Sequence, residues 1–162
     1  MLRRKIWLSA MIILSLVGPA SAQPSADKQA TIQRLEAAKK RDLAQANDPN
    51  VSPQRQSDCA AQAELADDVI RKLQHGIEVP QWQIDIASEV PPKSVRAQKD
   101  KLLAALKEVR EQQQMAEKRN YGDNQVGLDR LRRREAQTSK VIEKLEIGEF
   151  VPWSDIVQAL KD

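Results

Sequence analysis

Val69-Ile70-Arg71-Lys72-Leu73-Gln74-His75-Gly76-Ile77-Glu78-Val79-Pro80, continuing as Gln81-Trp82-Gln83-Ile84-Asp85-Ile86-Ala87, returns later in the chain. The second copy is Val141-Ile142-Glu143-Lys144-Leu145-Glu146-Ile147-Gly148-Glu149-Phe150-Val151-Pro152, then Trp153-Ser154-Asp155-Ile156-Val157-Gln158-Ala159. About half of the paired positions are identical without a gap, far more than unrelated segments share, so the stretch reads as an internal duplication. Ile70 and Leu73, like Ile142 and Leu145, are three apart and fall on one helical face. Gly76 and Gly148 stand where a helix ends on a left-handed residue. Val79-Pro80 and Val151-Pro152 follow, and a proline holds the residue before it in extended backbone. Proline also suits the first turn of a new helix, where its missing N–H is not needed. Each copy therefore predicts a helix, a glycine stop, an extended Val-Pro step and a short helix carrying Ile84 or Ile156.

The flanking residues supply partners for these helices. A first helix is expected over 27–46, with Ile32, Leu35, Ala38, Leu43 and Ala46 as its apolar stripe and Lys39, Lys40, Arg41 and Asp42 toward solvent. Asn47-Asp48-Pro49-Asn50 breaks it, and Ser52-Pro53 has the form of an N-cap with proline at the first helical position. The second helix runs to His75 with Cys59, Ala63, Ala66, Ile70 and Leu73 as a narrow seam for an antiparallel neighbour. Val90-Pro91-Pro92-Lys93 is a stiff connector. The plan then repeats. A helix over 94–119 carries Leu102, Leu103, Leu106, Val109 and Ala116, residues 120–124 turn the chain, and a helix over 125–147 carries Leu128, Leu131, Ile142 and Leu145. The expected fold is all-α: two tandem helical hairpins, residues 23–93 and 94–162, each closed by a glycine stop, a Val-Pro step and a short helix. The apolar seams suffice for one shared core, and a compact body is expected in preference to two loosely joined modules.

Residues 1–22 have a different character. Arg3, Arg4 and Lys5 form a basic start, residues 6–17 an apolar run too short for the roughly 20 residues of a membrane span, and Ala20-Ser21-Ala22 a small-x-small cleavage pattern. A secretory signal cleaved after Ala22 is expected, with Gln23 where a lipoprotein would need cysteine, giving a periplasmic or secreted protein with no stable membrane anchor. This removes the apparent basic character. The net charge of +3 arises from 26 basic and 23 acidic residues, and three of the basic ones belong to the leader. The remaining charges balance, so no nucleic-acid partner is inferred from charge.

Chemistry-bearing residues are few. Cys59 is the only cysteine, so no intramolecular disulfide is possible, and its position in the second repeat is held by Leu131 on the apolar seam. A buried thiol is the favoured reading, a reactive or intermolecularly paired one the alternative. His75 is the only histidine, placed at a helix end where a cation complements the dipole; its counterpart is Ile147. A transition-metal site needs several such ligands together. Neither a nucleophile elbow nor a glycine-rich phosphate loop is present. The basic run Arg130-Leu131-Arg132-Arg133-Arg134, flanked by Asp129 and Glu135, reads as a solvated helix face. No catalytic, cofactor-binding or metal residues are assigned, and no cofactor is expected.

Trp82 and Trp153 follow the two prolines one position out of step, so they need not fill equivalent sites. Either each anchors its short helix or the two form an exposed aromatic pair that grips a partner. The functional expectation is an exported, non-enzymatic helical repeat protein that binds another envelope protein or peptide. Val79, Pro80, Trp82, Val151, Pro152 and Trp153 are its candidate contact residues, Gly76 and Gly148 its helix stops. The alternatives are a periplasmic small-ligand or metal-responsive sensor using His75 and Cys59, and a hydrolase of envelope polymer.

Overall fold

The structure, a computed structural model, describes residues 26–119 and 125–161. The expected leader, the stretch 23–25 after it and the expected turn at 120–124 lie outside the described residues. The described part is all-α. Its helices are α1 (Ala26–Ala46), α2 (Pro53–Gln74), α3 (Gln81–Ser88), α4 (Lys99–Arg119), α5 (Gln125–Glu146) and α6 (Trp153–Leu160), with a 3-10 turn at Val95–Gln98. The chain at 94–98 thus enters α4 through a tighter turn than the expected continuous helix. Corresponding helices agree in length: 21 residues in α1 and α4, 22 in α2 and α5, and 8 in α3 and α6.

Local signals act where the sequence places them. Ser52 Oγ accepts the Arg55 N–H at 3.4 Å and Pro53 opens α2. Between α1 and α2, Asp48 accepts the Asn50 N–H at 2.9 Å, a side-chain turn of the kind that breaker cluster favours. At the end of α2, Gly76 takes φ +75° and at the end of α5 Gly148 takes φ +79°. The Ile77 N–H then reaches back to Lys72 O, and the Glu149 N–H to Lys144 O, each at 2.9 Å, closing both helix ends in the same way. Pro80 (φ −57°, ψ 143°) and Pro152 (φ −57°, ψ 145°) are extended residues just ahead of α3 and α6, one place before the first helical turn where they were expected. Their carbonyls accept the first helical N–H bonds, from Gln83 and Ile84 in one hook and Asp155 and Ile156 in the other.

The core-facing stripe of α1 differs from expectation. Leu35 and Ala38 are buried, but the stripe continues through Asp42, fully buried, while Leu43 is 41% exposed. At about 100° per residue, the seventh position after Leu35 returns to its face and the eighth lies well round the helix. The buried carboxylate is paired. Arg41 gives it two bonds, Nε at 2.9 Å and Nη2 at 3.0 Å, and the same guanidinium reaches Glu89 O at 2.9 Å. Arg55 holds Pro91 O at 2.6 Å, so α1 and α2 both clamp the start of the connector.

Each hairpin packs within itself, α1 on α2 and α4 on α5. Among the described residues no long helix of one hairpin makes an extensive contact with a long helix of the other. The bridge is α6, which packs on α2 of the first hairpin as well as on α4 and α5. Buried apolar residues of both halves, from Leu35 and Leu65 to Leu102, Ile142 and Ile156, form one cluster. Trp153, only 3% exposed, stands at the junction, and its indole N–H donates to Gln62 Oε1 at 3.0 Å. The Gln62 amide donates in turn to Ile86 O and Glu89 O at the end of α3. Gln83 of α3 donates to Leu160 O, and Lys161 pairs with Glu64 of α2 at 2.6 Å.

Two stability predictions follow from this geometry. No atom lies within 4 Å of a Cβ added at either stop glycine, so Gly76→Ala and Gly148→Ala should each cost roughly 1–2 kcal/mol in urea unfolding, the backbone penalty alone. A much larger loss would mean that the turns carry packing as well. Trp153→Ala should cost about 3–5 kcal/mol by loss of core volume. Trp153→Phe should still cost about 1–3 kcal/mol, because it leaves Gln62 Oε1 buried without its donor.

Candidate functional site

The hooks turn the chain sharply at the same end of each hairpin, and each leaves a crevice beside it. In the second hook a cavity of about 720 Å³ opens between the α5 stop, the connector with its 3-10 turn, the start of α4 and the first turns of α2. Leu145, Val151, Trp153 and Val95 give it an apolar lining. Over this lining stand two large apolar side chains that the fold does not cover, Ile147 at 72% and Phe150 at 75% exposure. The reason is local. Val151 turns inward, 2% exposed, so that the extended Val-Pro step can seat α6, and Phe150 beside it in that step points outward. Ile147 is the residue at which α5 has already ended.

The charges around the crevice are arranged unevenly. Glu146 is paired with Lys107 at 2.7 Å and Glu149 with Lys144 at 3.4 Å, both cations lying outside the lining. The Lys107 ammonium, hydrogen-bonded to Glu146, holds that carboxyl below the usual glutamate range. Lys99 donates to Glu146 O at 3.0 Å. Lys93 and Arg96, on the connector side, are exposed.

The first hook has a smaller crevice of about 480 Å³ against the start of α1, lined by Asp27, Lys28, Leu73, Ile77 and Val79 among others. Ile77, 53% exposed, is its apolar projection. Where the second hook has Ile147 and Phe150, the first has His75 and Glu78, both exposed.

The six contact residues expected from sequence therefore separate. Val151 and Trp153 are core residues that reach the crevice only as its floor, which is the anchoring alternative for Trp153. Val79, Pro80, Trp82 and Pro152 are half-buried. Trp82 packs against the core, and its Nε1 has no hydrogen-bond partner, so the two indoles are inequivalent, which their offset in the alignment left open. At the hooks the projecting apolar groups are Ile77, Ile147 and Phe150, which periodicity did not single out. A signal for Phe150 did exist, since an apolar residue next to a core-facing valine in extended backbone must face the other way.

Cys59 is fully buried and its thiol donates to Gln45 Oε1 at 3.3 Å. Burial, the largest influence, pushes the thiol pKa above its ordinary value, with Arg55 acting in the opposite direction. His75 is exposed at the far end of the same helix, about 24 Å away at about 1.5 Å per residue, so the two do not meet in one site. Among the described residues no group of three His, Cys, Asp or Glu side chains is placed to hold a metal ion, and no helix is long and apolar enough to cross a membrane. The basic run on α5 is exposed at Arg130, Arg132, Arg133 and Arg134, and Arg132 pairs with Glu117 of α4 at 2.7 Å.

The site belongs to an all-α protein of two hooked helical hairpins. Comparison with family models, curated proteins and solved structures finds no match to the chain.

Burial and a raised thiol pKa both suppress the reactive thiolate. If labelling waits on a local opening of about 3 kcal/mol, native Cys59 should react with a maleimide roughly a hundredfold more slowly than the urea-unfolded chain at the same pH. Equal rates in the two states would place the thiol at the surface.

Proposed function

We propose that this is an exported, non-enzymatic protein that binds an apolar segment of another envelope protein at its second hook. The observation that carries the reading is the exposure of Ile147 and Phe150, both at the edge of one crevice whose floor includes Leu145, Val151 and Trp153. Isolated exposed apolar residues are ordinary, but large ones gathered at the edge of a crevice are a feature of interaction sites. Phe is among the residues enriched at such contacts. A small-ligand pocket buries its apolar lining around the ligand, whereas these side chains project from the fold and call for a partner with a hollow of its own. A protein segment meets that requirement better than a metabolite does. Export rests on the leader-like residues 1–22, with their basic start, apolar run and Ala20-Ser21-Ala22.

The test is affinity capture of the mature protein in its own envelope fraction, with Phe150→Ala and Ile147→Ala chains run in parallel. Both positions are exposed, so the variants should melt within about 0.5 kcal/mol of the parent. The expected result is a single protein retained by the parent at fixed stoichiometry and, once purified, bound at least about tenfold more weakly by Phe150→Ala. Equal retention by parent and variants, or a defined small molecule recovered in place of a protein, would refute the proposal.

A further inference from the structure

The charges that remain available at the second crevice say what else the partner segment carries. Resting on the reading above, we infer that it is acidic as well as apolar, with carboxylates set among the side chains that meet Ile147 and Phe150.

The crevice is lined by three carboxylates, Asp58, Glu146 and Glu149, and three cations, Lys93, Arg96 and Lys99. Formally these cancel, but the structure distributes them asymmetrically. Glu146 and Glu149 are neutralised from outside the lining by Lys107 and Lys144. Asp58 accepts the Gln54 amide at 3.0 Å. Lys93 and Arg96 have no carboxylate partner among the described residues, and both are exposed on the connector wall that faces the second hook. With two acids compensated and two cations not, the crevice presents net positive charge beside its apolar rim. A partner bringing carboxylates there forms new charge-assisted bonds, while one bringing lysines meets repulsion. Arginine also offers a planar fork suited to a carboxylate, which makes Arg96 the more discriminating of the two.

The first hook is an internal comparison. Its crevice carries Asp27 and Glu78 against Lys28, and Glu78 occupies the place of Phe150. The same backbone therefore presents a carboxylate there in place of the phenyl ring, and the acidic segment is expected to select the second hook over the first.

The experiment uses three fluorescent amphipathic dodecapeptides with identical leucine and phenylalanine positions whose intervening residues are glutamate, glutamine or lysine. Binding to the mature protein is read by anisotropy at low and physiological salt. The glutamate peptide should bind roughly tenfold more tightly than the lysine peptide, by a margin that shrinks with salt. The Lys93→Glu/Arg96→Glu double variant should invert that order, and Phe150→Ala should weaken all three peptides about equally. Peptides that bind through Phe150 without preference for glutamate would overturn the acidic partner and leave the apolar docking reading standing. If none of the three bound, and Phe150→Ala captured the same envelope proteins as the parent, both would fall. Binding to phosphatidylglycerol vesicles that is lost in the double variant, with no glutamate preference among the peptides, would overturn the inference in favour of an anionic lipid surface.

Discussion

Trp153 and Gln62 meet at the junction of the two hairpins. The indole N–H reaches Gln62 Oε1 at 3.0 Å, and both residues are buried. A buried amide that left either end unpaired would be costly, and Gln62 leaves neither. Its oxygen takes the indole, and its nitrogen takes Ile86 O and Glu89 O where α3 gives way to the connector. One side chain of α2 therefore sets where the first hook ends and where the last helix begins. Because the long helices of the two hairpins do not lie extensively against one another, the seating of α6 on α2 through this contact determines how the halves are joined.

That arrangement makes the sister hooks alike in backbone and unlike in surroundings. Glycine angles, proline angles and closing hydrogen bonds agree between them. Yet α3 lies on its own hairpin, while α6 also crosses to the other. The position of Gln62 is taken in the second unit by Arg134, which is exposed, so the rivet exists on one side only. The second hook is bordered by the connector and the first turns of α2, and this is why its crevice is the larger. Divergence at Ile147 and Phe150 then gives that crevice two exposed apolar side chains where the first hook has His75 and Glu78, with Ile77 as its own apolar projection.

The polar interior follows from the same economy of contacts. Asp42 is buried with Arg41 as its partner, and the pair is oriented toward Glu89 O. Breaking such a pair by removing one partner exposes the full cost of an isolated charge. Together with Arg55 on Pro91 O, it ties the connector to the first hairpin, so the wall of the second crevice is held by residues far from it in sequence.

The residues themselves were sufficient to determine the helices, the left-handed stops at Gly76 and Gly148 and the extended steps at Val79-Pro80 and Val151-Pro152, because each is a local matter of sterics and periodicity. The seam of α2 was legible in its residues, with Cys59, Ala63, Ala66, Ile70 and Leu73 all buried, but not in its width: Ala61, Gln62, Leu65 and Val69 are buried too, because α2 packs on α3 and α6 as well as on α1. Asp42 is buried against the expectation for a carboxylate, because seven residues after Leu35 the helix returns to the same face. Which tryptophan enters the core, what Gln62 touches and where Ile147 and Phe150 emerge were decided only when α6 crossed to α2. Those outcomes depend on contacts between residues distant in the chain, and periodicity along one helix carries no information about which neighbour covers its face.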